Sequence, residues 1–159
     1  MRRKQPSEDQ RTAHRTSLTP RIESMLTEAR VLLPGAQALF GFQMAILFTE
    51  RFGDLSQAQQ LVHAASLCCI VLAVILLMAP ATFHRIAFGS ENTEEFFRLG
   101  SAFVIASAVP LALGISADLY VASSLALGNM AVGAAAGLCG LVALTSLWFV
   151  RPLLLRARA

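Results

Sequence analysis

One histidine and three carboxylates carry the clearest chemistry in this 159-residue chain. His63 stands one helical turn beyond Gln59 and Gln60, so the three side chains share a face. Glu50, Asp54 and Asp118 lie at the edges of the apolar stretches on the same side as His63. Imidazole and carboxylate brought together can take up a proton near neutral pH or hold a cation, which makes this set a candidate outer-face cluster. Gln43 precedes Glu50 by seven residues and is nearly in line with it on a helix. Gln37, Gln43 and Asn129 are the polar groups that would line a pathway, with His63 and Glu50 at its mouth. The plainer alternative is that His63 is a polar anchor and the glutamines hydrogen-bond inside a bundle.

No other constellation suggests catalysis. The chain has no GxSxG, HExxH or Walker-type loop, no paired catalytic acids and no TVGYG filter. Cys68, Cys69 and Cys139 all fall in apolar stretches, without zinc or redox spacing, and read as small hydrophobic residues. The expectation is a protein that is not an enzyme and has neither cofactor nor metal.

The elements that must position these groups are four long apolar stretches, near residues 31–49, 61–81, 99–117 and 119–150. A bilayer core of about 30 Å needs about 20 apolar residues per helix, so the four read as membrane spans, about 31–50, 58–80, 96–117 and 120–150. Composition agrees: 55% of residues are hydrophobic, 14% are charged and the mean hydropathy is +0.60. The segments between the stretches are too short to bury cores of their own, which leaves one membrane domain. The net charge of +3 comes from basic residues that flank the stretches without interleaved aromatics, so anionic lipid is the expected partner and nucleic acid is not.

Four spans would put both termini and the 82–98 loop on one side. That side carries twelve of the thirteen basic residues, and Arg51 stands alone on the other. The bias predicts cytoplasmic termini. Arg21, Arg30, His84, Arg85 and Arg151 are the candidate headgroup contacts. No span has an Asp, Glu, Lys or Arg near its centre, which argues against a carboxylate-based pump or antiporter.

Met1, Arg2, Arg3 and Lys4 begin the chain, but no apolar segment follows for more than 25 residues, so a cleaved signal is not expected. Residues 1–18 read as a mobile cytoplasmic tail. Thr19 and Pro20 make a helix start, and Ile22, Met25, Leu26 and Ala29 recur at helical spacing. They predict a short amphipathic helix on the cytoplasmic surface, with Pro34 and Gly35 bending it into the first span or kinking one continuous helix. Ser56 and Gln59 form a capping-box pattern before the second span. Ser90, Asn92 and Thr93 are candidate caps for the third, which Pro110 should kink, freeing the Ala106 carbonyl for a group such as Ser107. The fourth stretch reads as one long span starting after a turn at Asp118.

Small residues mark close packing. Asn129, Gly133, Gly137 and Gly140 share a face in the fourth stretch, and Gly133 to Gly137 is a GxxxG pattern. Gly100, Ser107 and Gly114 form a similar seam in the third. Contact within the bundle is the first reading, and a homo-oligomer interface is the alternative.

Several strings resemble a known family: Glu28, Arg30, Leu32-Leu33-Pro34-Gly35, Gln37, Phe40 and Phe42; Glu50-Arg51-Phe52-Gly53; and Ala79-Pro80 with Phe83-His84-Arg85. The family is one of small bacterial four-span inner-membrane proteins known only as a domain of unknown function. The resemblance runs from about residue 20 to the end and implies a bacterial inner-membrane location without supplying an activity. The reading is therefore an all-α membrane protein: four transmembrane helices in a bundle, preceded by a short cytoplasmic amphipathic helix. Its expected role is structural or accessory, with self-association; the alternative is a small oligomeric ion or proton channel or transporter whose pathway runs between subunits.

Overall fold

The computed structural model describes residues 8–89 and 91–158, with side chains from Leu18 onward. Helix α1 covers Glu8–Ile46, the short α2 Glu50–Gly53, α3 Gln57–Ile86, α4 Glu94–Leu127 and α5 Met130–Thr145. A π-helical turn, Ser146–Val150, joins α5 to α6, Arg151–Arg158. No strand occurs among the described residues. Three helical runs are long and apolar enough to cross a membrane: Gln57–Ile86, Glu94–Leu127 and Met130–Arg158. The apolar part of α1 ends at Ile46 because residues 47–49 turn, and Glu23, Glu28 and Arg30 interrupt its other half.

Helix starts follow local chemistry at two of the expected places. Ser56 and Gln59 close a full capping box at the head of α3, and Thr93 accepts from the Phe96 amide at the head of α4. Asn92 is turned elsewhere, and Ser90 lies outside the described residues. The start expected at Thr19 and Pro20 is not one: α1 is already helical from Glu8, and residues 1–7 of the expected tail lie outside the described residues. Pro20 and Pro34 sit inside α1, each removing one ladder bond without ending the helix.

The amphipathic segment is also corrected. Its apolar stripe does not lie on a membrane surface, because Ile22 (1% exposed), Met25 and Ala29 are buried against the bundle.

The last apolar region divides differently from the expected plan. Helix α4 runs through Asp118 to Leu127, and the chain reverses at Gly128, whose φ of +61° is a left-handed helix end suited to glycine. Asn129 then caps α5 through Oδ1, accepting from the Ala131 amide at 2.9 Å and the Val132 amide at 3.3 Å. Further on, Pro152 has no amide to return to the Trp148 carbonyl, and the π turn lies just before it.

Helices α1, α3 and α4 enclose one core. Its centre is Ile22, Met25 and Ala36 from α1, Ile70, Ala73 and Leu77 from α3, and Phe96, Val104 and Leu111 from α4. Small residues permit the close approaches. A Cβ on Gly100 would stand 2.6 Å from Met25 Sδ, and one on Gly114 would stand 2.7 Å from Ile70 Cδ1. Helix α5 packs mainly on α4, through Gly133, Gly137 and Gly140. A Cβ on Gly133 would meet the Tyr120 carbonyl at 2.7 Å, one on Gly137 the Ser116 carbonyl at 2.9 Å, and one on Gly140 the Leu119 side chain at 3.0 Å. Both small-residue seams are thus filled within the chain. Ser107 is buried, but its hydroxyl donates to the Val104 carbonyl at 2.7 Å and not to the carbonyl freed by Pro110.

Candidate polar site at one end of the bundle

The site forms where α1 ends, α3 begins and α4 overshoots both. Gln43 comes one turn before the end of α1, and the capping box fixes the register in which His63 and Ser66 follow on α3. Gln60 secures the intervening loop, donating through Nε2 to the carbonyls of Phe52 at 3.3 Å and Leu55 at 3.1 Å. The continuation of α4 past residue 117 brings Asp118 against both partners.

Gln43 is 3% exposed and His63 1%, while the Asp118 side chain is 24% exposed. Gln43 Nε2 donates to Asp118 Oδ2 at 2.5 Å and to Ser66 Oγ at 2.6 Å. Ser66 Oγ lies 2.7 Å from Asp118 Oδ1 and 2.9 Å from the Gly114 carbonyl, so its one proton serves either acceptor in turn. His63 Nε2 is 3.2 Å from the Gln43 carbonyl, which can only accept; the proton of neutral His63 therefore belongs on Nε2. The other nitrogen, Nδ1, then turns a lone pair toward Asp118 Oδ1 at 3.9 Å. A proton on Nδ1 would convert that approach into an ion pair. Phe52 meets the imidazole edge-on, with ring centroids 5.7 Å apart.

The cluster has more acceptors than donors. Gln43 Oε1 is buried and has no hydrogen-bond partner, and no Lys or Arg among the described residues pairs with Asp118. Beside it opens a cavity of about 560 Å³ with a largely apolar wall that includes Leu39, Phe42, Ile46, Val121 and Leu125. Arg51 also borders the cavity; its guanidinium is exposed and 4.0 Å from the Asp54 carboxylate.

Of the polar groups singled out from the sequence, Gln43, His63 and Asp118 meet. Gln37 is exposed on α1, Glu50 is exposed in α2, and Asn129 is occupied as the cap of α5. Asn129 is set apart from Gln43 because the chain reverses at residue 128 and its amide oxygen accepts from the first amides of α5. Ser66, which bridges Gln43 and Asp118, was not anticipated; its position three residues after His63 on the same helical face was the available signal. Gln59 was known as a cap residue, but its Nε2 also donates to Ser124 Oγ at 2.8 Å. No group of three His, Cys, Asp or Glu among the described residues is arranged to hold a metal ion.

The opposite end is basic. Arg30, Thr82, His84 and Arg85 border a cleft of about 530 Å³ between α1 and α3. His84 lies 3.3 Å from Asn92 Oδ1, and Asn92 donates to Thr19 Oγ1 at 3.2 Å. Arg21 stacks over Phe97, 4.3 Å from the ring centroid, and stands 3.8 Å from Glu94. Arg151 is exposed at the start of α6.

A family model for a family of unknown function (DUF6328) matches residues 11–152, and the chain belongs to that family. No curated protein and no solved structure matches it.

Proposed function

We propose that this family member is a non-conducting, non-enzymatic accessory protein of the inner membrane, with four spans, cytoplasmic termini and a receptor site at its outer end. The observation that carries this reading is the one-sidedness of the polar site. Met25, Pro80 and Gly100 meet near the basic end. Gln43 follows Met25 by eighteen residues of helix, or about 27 Å, close to the thickness of a hydrocarbon core. Between those levels the three helices contribute Ala36, Ile70, Ala73, Val104 and Leu111, all buried and apolar. The hydroxyls buried there on α4, those of Ser107 and Ser116, are returned to their own helix. A conducting route would need polar groups spaced through this layer.

A pathway between subunits is also disfavoured, because the amide of Gln43 is spent on Ser66 and Asp118 of its own chain. The GxxxG face supports no dimer, since α4 fills it. In this reading the fourth span is α1, whose Ala36 and Gln43 are buried and which packs on α3 and α4. Twelve basic residues against one orient the protein, and Arg30 and Arg85 stand where anionic headgroups would meet them.

Purified protein in liposomes tests the reading. Fluxes of protons, sodium and potassium should equal those of empty liposomes across several pH values. A flux above that background, reduced by Gln43→Leu or His63→Ala, would overturn it in favour of a channel or transporter.

A further inference from the structure

We infer that the cavity beside Asp118 binds a protonated primary amine carried on an apolar body. This inference rests on the receptor reading above and names its ligand class. Three features converge. The floor offers a carboxylate with no Lys or Arg partner, the Nδ1 lone pair of His63, and the 97%-buried Gln43, whose Oε1 has no donor. A group that presents several N–H donors and one positive charge meets that surplus of acceptors; an anion meets it with none. The wall of Leu39, Phe42, Ile46, Val121 and Leu125 rejects a bare, strongly hydrated metal ion but accepts hydrocarbon. The volume of about 560 Å³ lies within the roughly 300–1,000 Å³ of small-molecule sites.

The charged groups around the site fit the same ligand. Asp118 and His63 line the site without an ion pair to Arg51, which also lines it and whose exposed guanidinium is 4.0 Å from the Asp54 carboxylate. Gln43 and Ser66 hold the carboxylate in place through Oδ2 and Oδ1, leaving it oriented before any ligand arrives.

The test is calorimetric titration of the full-length protein in detergent micelles, with protein-free micelles as blank. The probes are 2-phenylethylammonium, its neutral counterpart 2-phenylethanol, and the anion 3-phenylpropanoate. The ammonium should bind saturably at one site per chain, about tenfold or more tighter than the alcohol, with no binding of the anion. Asp118→Asn should weaken ammonium binding by about tenfold or more, and Ala122→Phe, which fills the cavity one turn beyond Asp118, should abolish it. Equal binding of ammonium and alcohol, or unchanged affinity in folded Asp118→Asn, would overturn the inference. If Asp118→Asn fails to fold, the probe series on the native chain and Ala122→Phe decide it. A parallel liposome assay separates the two readings. Binding with transport of the ammonium keeps the site and removes the non-conducting role, whereas absent binding without flux removes the site alone.

Discussion

The amide of Gln43 joins three helices, because its two hydrogen bonds reach Ser66 on α3 and Asp118 on α4 from its own place on α1. Gln43→Leu keeps the volume but takes a donor from a half-buried carboxylate. It also relieves the unpartnered Oε1, so the net loss should be modest, about 1–2 kcal/mol, measured by thermal unfolding in detergent. No loss would mean that the amide contributes nothing to the junction. At this scale the sequence was informative in part. Gln43, His63 and Asp118 stood out because polar groups beside long apolar stretches are rare. Ser66 did not, since a serine in an apolar helix usually bonds to its own backbone; only the approach of α4 gives its hydroxyl a carboxylate partner.

Among the elements, the reversal between α4 and α5 shows how a readable signal can be missed. Gly128 followed by Asn129 is a helix end followed by a cap, but it lies within 32 uncharged residues that look like one span. Gly128→Ala places a Cβ on a backbone of positive φ and should destabilise the α4–α5 hairpin by about 1 kcal/mol, seen as a lower unfolding midpoint. Gly137→Leu is harsher, since even its Cβ would lie 2.9 Å from the Ser116 carbonyl. It should undock α5 from α4, with a loss of about 2–3 kcal/mol and faster proteolysis near residue 128. Unchanged proteolysis would contradict the intrachain packing. The same glycines had been equally compatible with an interface between copies, because GxxxG states only that a close neighbour exists.

For the whole molecule, the proposed four-span topology yields a labelling prediction. In a chain carrying Cys68→Ala, Cys69→Ala and Cys139→Ala, single introduced cysteines at Asp54 and Gly128 should react with an impermeant reagent from the periplasm. Cysteines at Glu23 and Gly89 should react only once the cytoplasmic side is opened. Labelling of Glu23→Cys from the same side as Asp54→Cys would show that α1 does not cross. This experiment matters most for α1, whose apolar length is shorter than that of the other three helices and whose first half carries charge.

What the sequence determined alone was a helical chain with segments long and apolar enough to cross a bilayer, a bias of twelve basic residues against one between their two sets of ends, and the residue types available for a polar site. These properties follow from local composition and length, which lipid and water sort without reference to the rest of the chain. The tertiary structure decided where the polar groups meet and which acceptor lacks a donor. It also decided that the stripe of Ile22 and Met25 is core and not membrane surface, and that both glycine seams are spent inside the chain. Such outcomes depend on helix register and on the distance at which neighbouring helices pack, so no single stretch of sequence contains them.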